Sequence, residues 1–280
     1  MAVNVLIVVT GGAVRLTDSG LGCPTWPRCS GSSLVPTDQI TGHKLIEFAN
    51  RSLTFVVGAV LLLTVIAAWR QRRERGLAVL ALAGIPMQAV LGGIVVLTDL
   101  NPWLVAAHFL LSAAIIAVTF LFWWRISTQR TLPLPIAARA LAWVAAAAAA
   151  LVLAVGTVVT GSGPHAGDLD KGRLHRIHLS VSGVAQLHAD LVMVLIGATI
   201  GLVALSYAVA AAESLRRAAW LLLGIELAQG IVGYTQYFLD VPRGLVAVHM
   251  LGACLVWLAA LNVLLRVEPR AAGEPVRAAG

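Results

Sequence analysis

Long apolar stretches, separated by short runs of Pro, Gly, Asp or Arg, repeat along the chain and predict eight helices, over 1–14, 43–69, 77–98, 103–124, 137–161, 184–210, 217–239 and 243–266. A bilayer core of about 30 Å takes about 20 apolar residues per helix at a rise of about 1.5 Å each. Seven of the stretches reach that length. The first falls short, because a helix over 1–12 extends only about 18 Å. It has neither the basic n-region nor the small-residue cleavage site of a signal peptide, so the expectation is that the natural start lies upstream or that this end has been trimmed.

Composition excludes the soluble alternative. The chain is 59% hydrophobic and 12% charged, with a mean hydropathy of +0.88, which leaves too little polar surface to cover a soluble domain. The predicted fold class is an all-α integral membrane protein of eight transmembrane helices. Charge then orients it. Twelve Lys/Arg positions fall on one side: Arg70 to Arg75, then Arg125, Arg130 and Arg139, then Arg216 and Arg217, then Arg266, Arg270 and Arg277. The other side has eight, so the positive-inside bias puts both termini in the cytoplasm. The net charge of +7 is largely this bias and gives no ground for nucleic-acid binding. Abundant Arg and Ala with little Lys points to a GC-rich bacterial genome, hence a bacterial cell membrane.

The chain also repeats itself. Shifting Gln88–His108 by 141 positions onto Gln229–His249 superimposes Gln88 on Gln229, Gly92 on Gly233, Asp99 on Asp240 and His108 on His249. The predicted organisation is two pseudo-symmetric four-helix bundles, 1–130 and 131–280, related by an axis along the membrane normal.

Polar side chains inside a bilayer are costly and mark function by default. His108 and His249 each follow a helix-opening proline by six or seven residues; His188 lies a few residues into helix six, and Glu47 and Asn50 lie one turn apart on helix two. All four depths are about two turns, or about 10 Å, from the outer surface. Two histidines facing each other across a four-helix bundle hold a heme by its iron; buried histidines that pin helices together are the plainer reading. His43, His165, His175 and His178 fall at or beyond the membrane edge, where solvated imidazoles are ordinary. Arg15, Arg51, Arg176 and Arg243 lie at the same edge, placed either for propionate carboxylates or to snorkel towards headgroups. Glu226 and Gln229, nearer the middle of helix seven, suit interhelical hydrogen bonds. Cys23 and Cys29 lie in an external loop where a disulfide persists, with a metal site as the competing reading. Cys254, inside helix eight, reads as a small buried apolar residue.

The segments "VVTGGAVRLTDSGLGCPTWPRC", "EFANR", "AAHFLLS", "QLHADL" and "AVHMLGA" resemble, in order and along the whole chain, the motifs of the heme A synthase family. The resemblance implies a membrane enzyme of eight helices that oxidises the C8 methyl of heme O to the formyl of heme A, through an alcohol, for terminal cytochrome oxidases. It implies a permanent heme b ligated by His188 and His249 in the second half. It also implies a substrate site in the first half, with His108 on the iron and Glu47 as the functional carboxylate. Heme O synthase and an electron-transfer protein are the implied partners, membrane lipid surrounds the chain, and a homo-oligomer is compatible with it. Two departures stand out: Asn50 occupies the place of the family's second substrate-site histidine, and no cysteines lie between helices five and six. The same ligands also suit a diheme cytochrome exchanging electrons with quinone, or a non-catalytic heme-delivery protein.

Overall fold

Each helix starts and stops where local chemistry allows. A computed structural model describes residues 1–30, 33–37, 41–127, 134–168 and 175–268, and it forms eight helices: α1 (Ala2–Leu16), α2 (Gly42–Arg70), α3 (Arg75–Leu97), α4 (Pro102–Ile126), α5 (Ile136–Ser162), α6 (Val181–Ala208), α7 (Glu213–Phe238) and α8 (Arg243–Val267). These agree with the predicted spans to within a few residues. The largest differences are at the starts of α6 and α7. Ser180 caps α6 by accepting from the Gly183 amide at 3.3 Å, and Glu213 extends α7 by pairing with Arg217 one turn on. Thr41 caps α2 in the same way, and Asn101 caps α4 ahead of Pro102. Seven helices are long and apolar enough to cross a membrane, whereas α1 has 15 residues. Arg130, Arg270 and Arg277 lie outside the described residues.

The helices pack as two bundles. In one, α1 lies against α2 and α4, and α3 against α2 and α4; in the other, α5 lies against α6 and α8, and α7 against α6 and α8. The seam between them is formed by α1, α4, α5 and α8. The second bundle has an alanine-rich centre in which Ala142, Ala145, Ala146 and Ala149 of α5 let the backbones approach closely, against Leu195, Leu202 and Leu222. Outward-facing Phe55, at 81% exposed, and Ile231, at 71%, show the reverse of a soluble protein's surface.

The repeat extends to backbone conformation. The turn from α3 to α4 holds Asp99 and Leu100 at φ of 50° and 58°, and the turn from α7 to α8 holds Asp240 and Val241 at 56° and 58°. Two consecutive non-glycine residues in the left-handed region are uncommon, and here both pairs occur 141 positions apart. All four turns at this end of the molecule gather together, and the two halves are tied there. Gly20 donates to the Gly167 carbonyl at 2.7 Å, Arg15 donates to the His165 and Thr160 carbonyls at 2.8 and 2.9 Å, and Arg243 pairs with Asp18 at 2.6 Å.

Candidate functional site

Four helices enter from the tied end, and each brings one of the residues singled out in the sequence: Asn50 on α2, His108 on α4, His188 on α6 and His249 on α8. In every case the helix before it presents a glycine to that side chain. A β-carbon on Gly92 would lie 3.1 Å from His108 Cε1, on Gly156 3.2 Å from His188 Cε1, and on Gly233 3.6 Å from His249 Cε1; on Gly11 it would lie 3.8 Å from Asn50 Nδ2. The missing side chains make room for the rings. This fourfold pattern was not legible in the sequence, since only two of the glycines fall in the aligned repeat and nothing in it says which way they face. It puts Asn50 in the same structural place as the three histidines. Its own Oδ1 is occupied, accepting from Thr10 Oγ1 at 2.8 Å.

His188 and His249 face each other with ring centres 6.4 Å apart and planes inclined at 61°. A metal ion bound by two imidazole nitrogens at about 2 Å each, with roughly another 1 Å from nitrogen to ring centre, sets the centres about 6 Å apart. The spacing therefore fits a single iron between them. Nδ1 is buried without a hydrogen-bond partner in His108, His188 and His249 alike, although the Val152 carbonyl approaches the His188 ring. Among the described residues no three His, Cys, Asp or Glu side chains converge on a metal position. A pair of imidazoles with no third ligand suits an iron whose remaining positions are filled by its own macrocycle.

Glu47, one turn from Asn50 towards the tied end, is only 4% exposed. Its Oε2 accepts from the Cys23 amide at 2.5 Å, and its Oε1 accepts from Arg51 Nε at 3.0 Å and Nη2 at 2.5 Å. Cys23 and Cys29 form a disulfide, so of the two sequence readings of this pair the structure has the bonded one. Arg51 also donates to the Cys23, Thr25 and Arg28 carbonyls at 2.8, 3.0 and 3.4 Å. The loop, the carboxylate and the arginine thus form one charge-assisted network. Trp26, from the tip of this loop, lies against Gly93 of α3, where any side chain would meet the indole.

Arg15, Arg176 and Arg243 at this end also have protein partners. Arg176 donates to the Gly163 and Pro164 carbonyls; burial lowers its pKa from the ordinary arginine value. Arg15 and Arg243 make the ties between halves given above. His165 donates from Nε2 to the Val241 carbonyl at 2.8 Å, and His43 Nδ1 is hydrogen-bonded to Ser19 Oγ at 3.0 Å. Farther along α7, Glu226 Oε1 accepts from Thr199 Oγ1 of α6 at 2.8 Å, while Glu226 Oε2 and Gln229 Oε1 have no partner. Cys254 is free and buried.

Comparison with known proteins gives this arrangement its context. The chain matches the family described as "Cytochrome oxidase assembly protein" (COX15-CtaA) over residues 1–261. A protein named heme A synthase from Lysinibacillus sphaericus is 38% identical over 125 residues, 42% of this chain and 40% of that protein. One of the same name from Listeria monocytogenes serotype 4a is 38% identical over 109 residues, 37% of this chain and 35% of that protein. A third, from Halalkalibacterium halodurans, is 33% identical over 122 residues, 42% and 40%. The matched stretches thus span about two fifths, or less, of the length of these relatives. With the family match running from the first helix into the last, this multi-pass helical membrane chain belongs to the cytochrome oxidase assembly protein family.

Proposed function

We propose that this chain is a heme A synthase, which oxidises the C8 methyl group of heme O to a formyl group through an alcohol. The observation that carries the reading is the 6.4 Å spacing of His188 and His249, set beside a pseudo-symmetric site in which Asn50 replaces one of the two imidazoles. His188 and His249 would together hold an iron in the second half, whereas in the first His108 would hold it alone.

On this reading residues 131–280 hold heme b between His188 and His249, where it supplies one-electron transfer. Residues 1–130 take heme O as substrate, with His108 as its axial ligand. An amide oxygen is a poor ligand for heme iron, and Asn50 Oδ1 already accepts from Thr10, so the side of the substrate facing α2 stays accessible to oxidant or water. Glu47 is the carboxylate next to that side. It accepts and returns protons as the methyl group is oxidised, with Arg51 and the Cys23 amide fixing its two oxygens. The arginines at the tied end serve the propionates only through donors left over from their protein bonds. The basic residues at the opposite end support cytoplasmic termini and an external Cys23–Cys29 loop. Heme O synthase as supplier and an electron-transfer protein as redox partner follow from the reaction itself.

Extracting the hemes from protein purified out of a host that makes heme O, and weighing them, tests the proposal. Heme b together with heme O, its alcohol or heme A is expected. Heme b alone, in two equivalents, would replace it with an electron-transfer cytochrome.

A further inference from the structure

On the outer wall of the first bundle, α3 and α4 leave a groove of about 440 Å³ lined by Pro86, Met87, Val90, Leu91, Ile94 and Leu111. Every lining side chain is apolar. The groove shares its two helices with the His108 position: Leu91 immediately precedes Gly92, which faces the His108 ring, and Leu111 lies one turn beyond His108. Pro86, inside α3, lines one end of the groove.

The second bundle treats the same positions differently. Leu111 corresponds to Gly252 and Ser112 to Ala253, again 141 positions on. Gln88 turns towards α4, donating from Nε2 to Ser112 Oγ at 2.6 Å and to the His108 carbonyl at 3.1 Å. Its counterpart Gln229 has no serine to reach and instead lies flat against Gly252, filling the space that a side chain there would take. In the first half the apolar Leu111 side chain therefore walls the groove, whereas in the second the polar amide of Gln229 takes that place against Gly252.

From this difference we infer that the α3–α4 groove receives the long isoprenoid tail of heme O, and so selects heme O over protoheme, which has a short vinyl group in its place. The inference rests on the reading above, in which the first half takes heme O and the second takes the tail-less heme b. Lipid chains are as apolar as the groove, so transfer of the tail from bilayer to protein gains little by hydrophobicity alone. The gain is van der Waals fit along a fixed wall, on a tail already tethered to a macrocycle bound next door. A tail held in one groove also stops the macrocycle turning about its bond to His108, which keeps one methyl group directed at the reacting side.

The test uses the full chain, with its heme b site filled, in phosphatidylcholine nanodiscs, titrated separately with heme O and with protoheme. The wild type is expected to bind heme O at least tenfold more tightly. Leu111→Trp, which fills the groove directly, should abolish that preference by weakening heme O and leaving protoheme unchanged. The double variant L111G/S112A copies the second half, so the polar amide of Gln88 should replace the Leu111 wall of the groove with the same result. If both hemes weaken together in these variants, the groove is only structural; if neither changes, it holds only bilayer lipid. Either outcome overturns the inference. Failure of the wild type to bind any second heme would instead remove the proposed function, before any variant is made.

Discussion

Three histidines and one asparagine, each facing a glycine, give a graded series of single-atom tests. Gly156→Ala would place a methyl 3.2 Å from His188 Cε1, tighter than ordinary contact, whereas Gly233→Ala stands 3.6 Å from His249 Cε1, in ordinary contact. The first variant should displace the ring at a cost of about 1–3 kcal/mol and, on the proposed function, diminish the low-spin signal of heme b in absorption and electron paramagnetic resonance spectra. The second should keep that signal. Asn50→His restores an imidazole at the fourth position, so protein loaded with heme O should pass from one low-spin centre to two; two such centres already present in the wild type would show that another side chain fills the axial place. Intramembrane histidines and the internal repeat made these positions legible, because a polar residue stands out against a lipid-facing background. The glycines opposite were not. Which residue of a neighbouring helix faces a ring depends on how the helices are rotated against each other, and α3 has glycines at 76, 84, 92 and 93 that look alike in sequence.

The loop between α1 and α2 is held by its own disulfide and by Arg51. Arg51 reaches Glu47 and three loop carbonyls with a planar fork that lysine lacks, so Arg51→Lys should loosen the loop nearly as much as removing the bond. Cys29→Ser should cost about 2 kcal/mol of local order, which is roughly thirtyfold in the open population. Trypsin cleavage after the exposed Arg28, timed on intact protein, reads this directly, and an unchanged rate in both variants would show that the loop is held elsewhere. The sequence offered the disulfide, beside a metal site, because the loop was expected to lie outside, and it placed Arg51 at the same end as that loop. It offered a propionate or lipid headgroups as that arginine's partner; the protein partners the structure shows are Glu47 and the loop. Carbonyl direction is a property of the folded loop backbone, with its bonds from Gly22 to Ser19 and from Cys29 to Ser33, and no side-chain pattern encodes it.

Across the whole molecule the helices and their repeat were readable from one end to the other, because twenty-residue apolar spans leave little ambiguity. Contacts between distant segments were not: Arg243 meets Asp18 across 225 positions. Glu226, 2% exposed, was expected to bond across helices and does so, but nothing in the sequence named the fully buried Thr199 as its partner. Counting from His188 and Asn50, Thr199 corresponds to Leu61, and Glu226 corresponds to Ile85 in the 141-residue shift; in the first half these are an apolar pair packed around Val57. Thr199→Val alone should destabilise by about 1–3 kcal/mol, since it strips the carboxyl group of its single bond. Adding Glu226→Leu should recover the loss or exceed it, as thermal unfolding in detergent would measure; a double variant no better than the single one would mean that Glu226 has a second tie. Two identical chains meeting on a twofold axis must change both of their sites whenever they change one. With both halves encoded in a single chain, that obligation disappears: His188 can stay where Asn50 has departed, and Leu111 can wall a groove where Gly252 admits a glutamine, each by a substitution that the opposite half never sees.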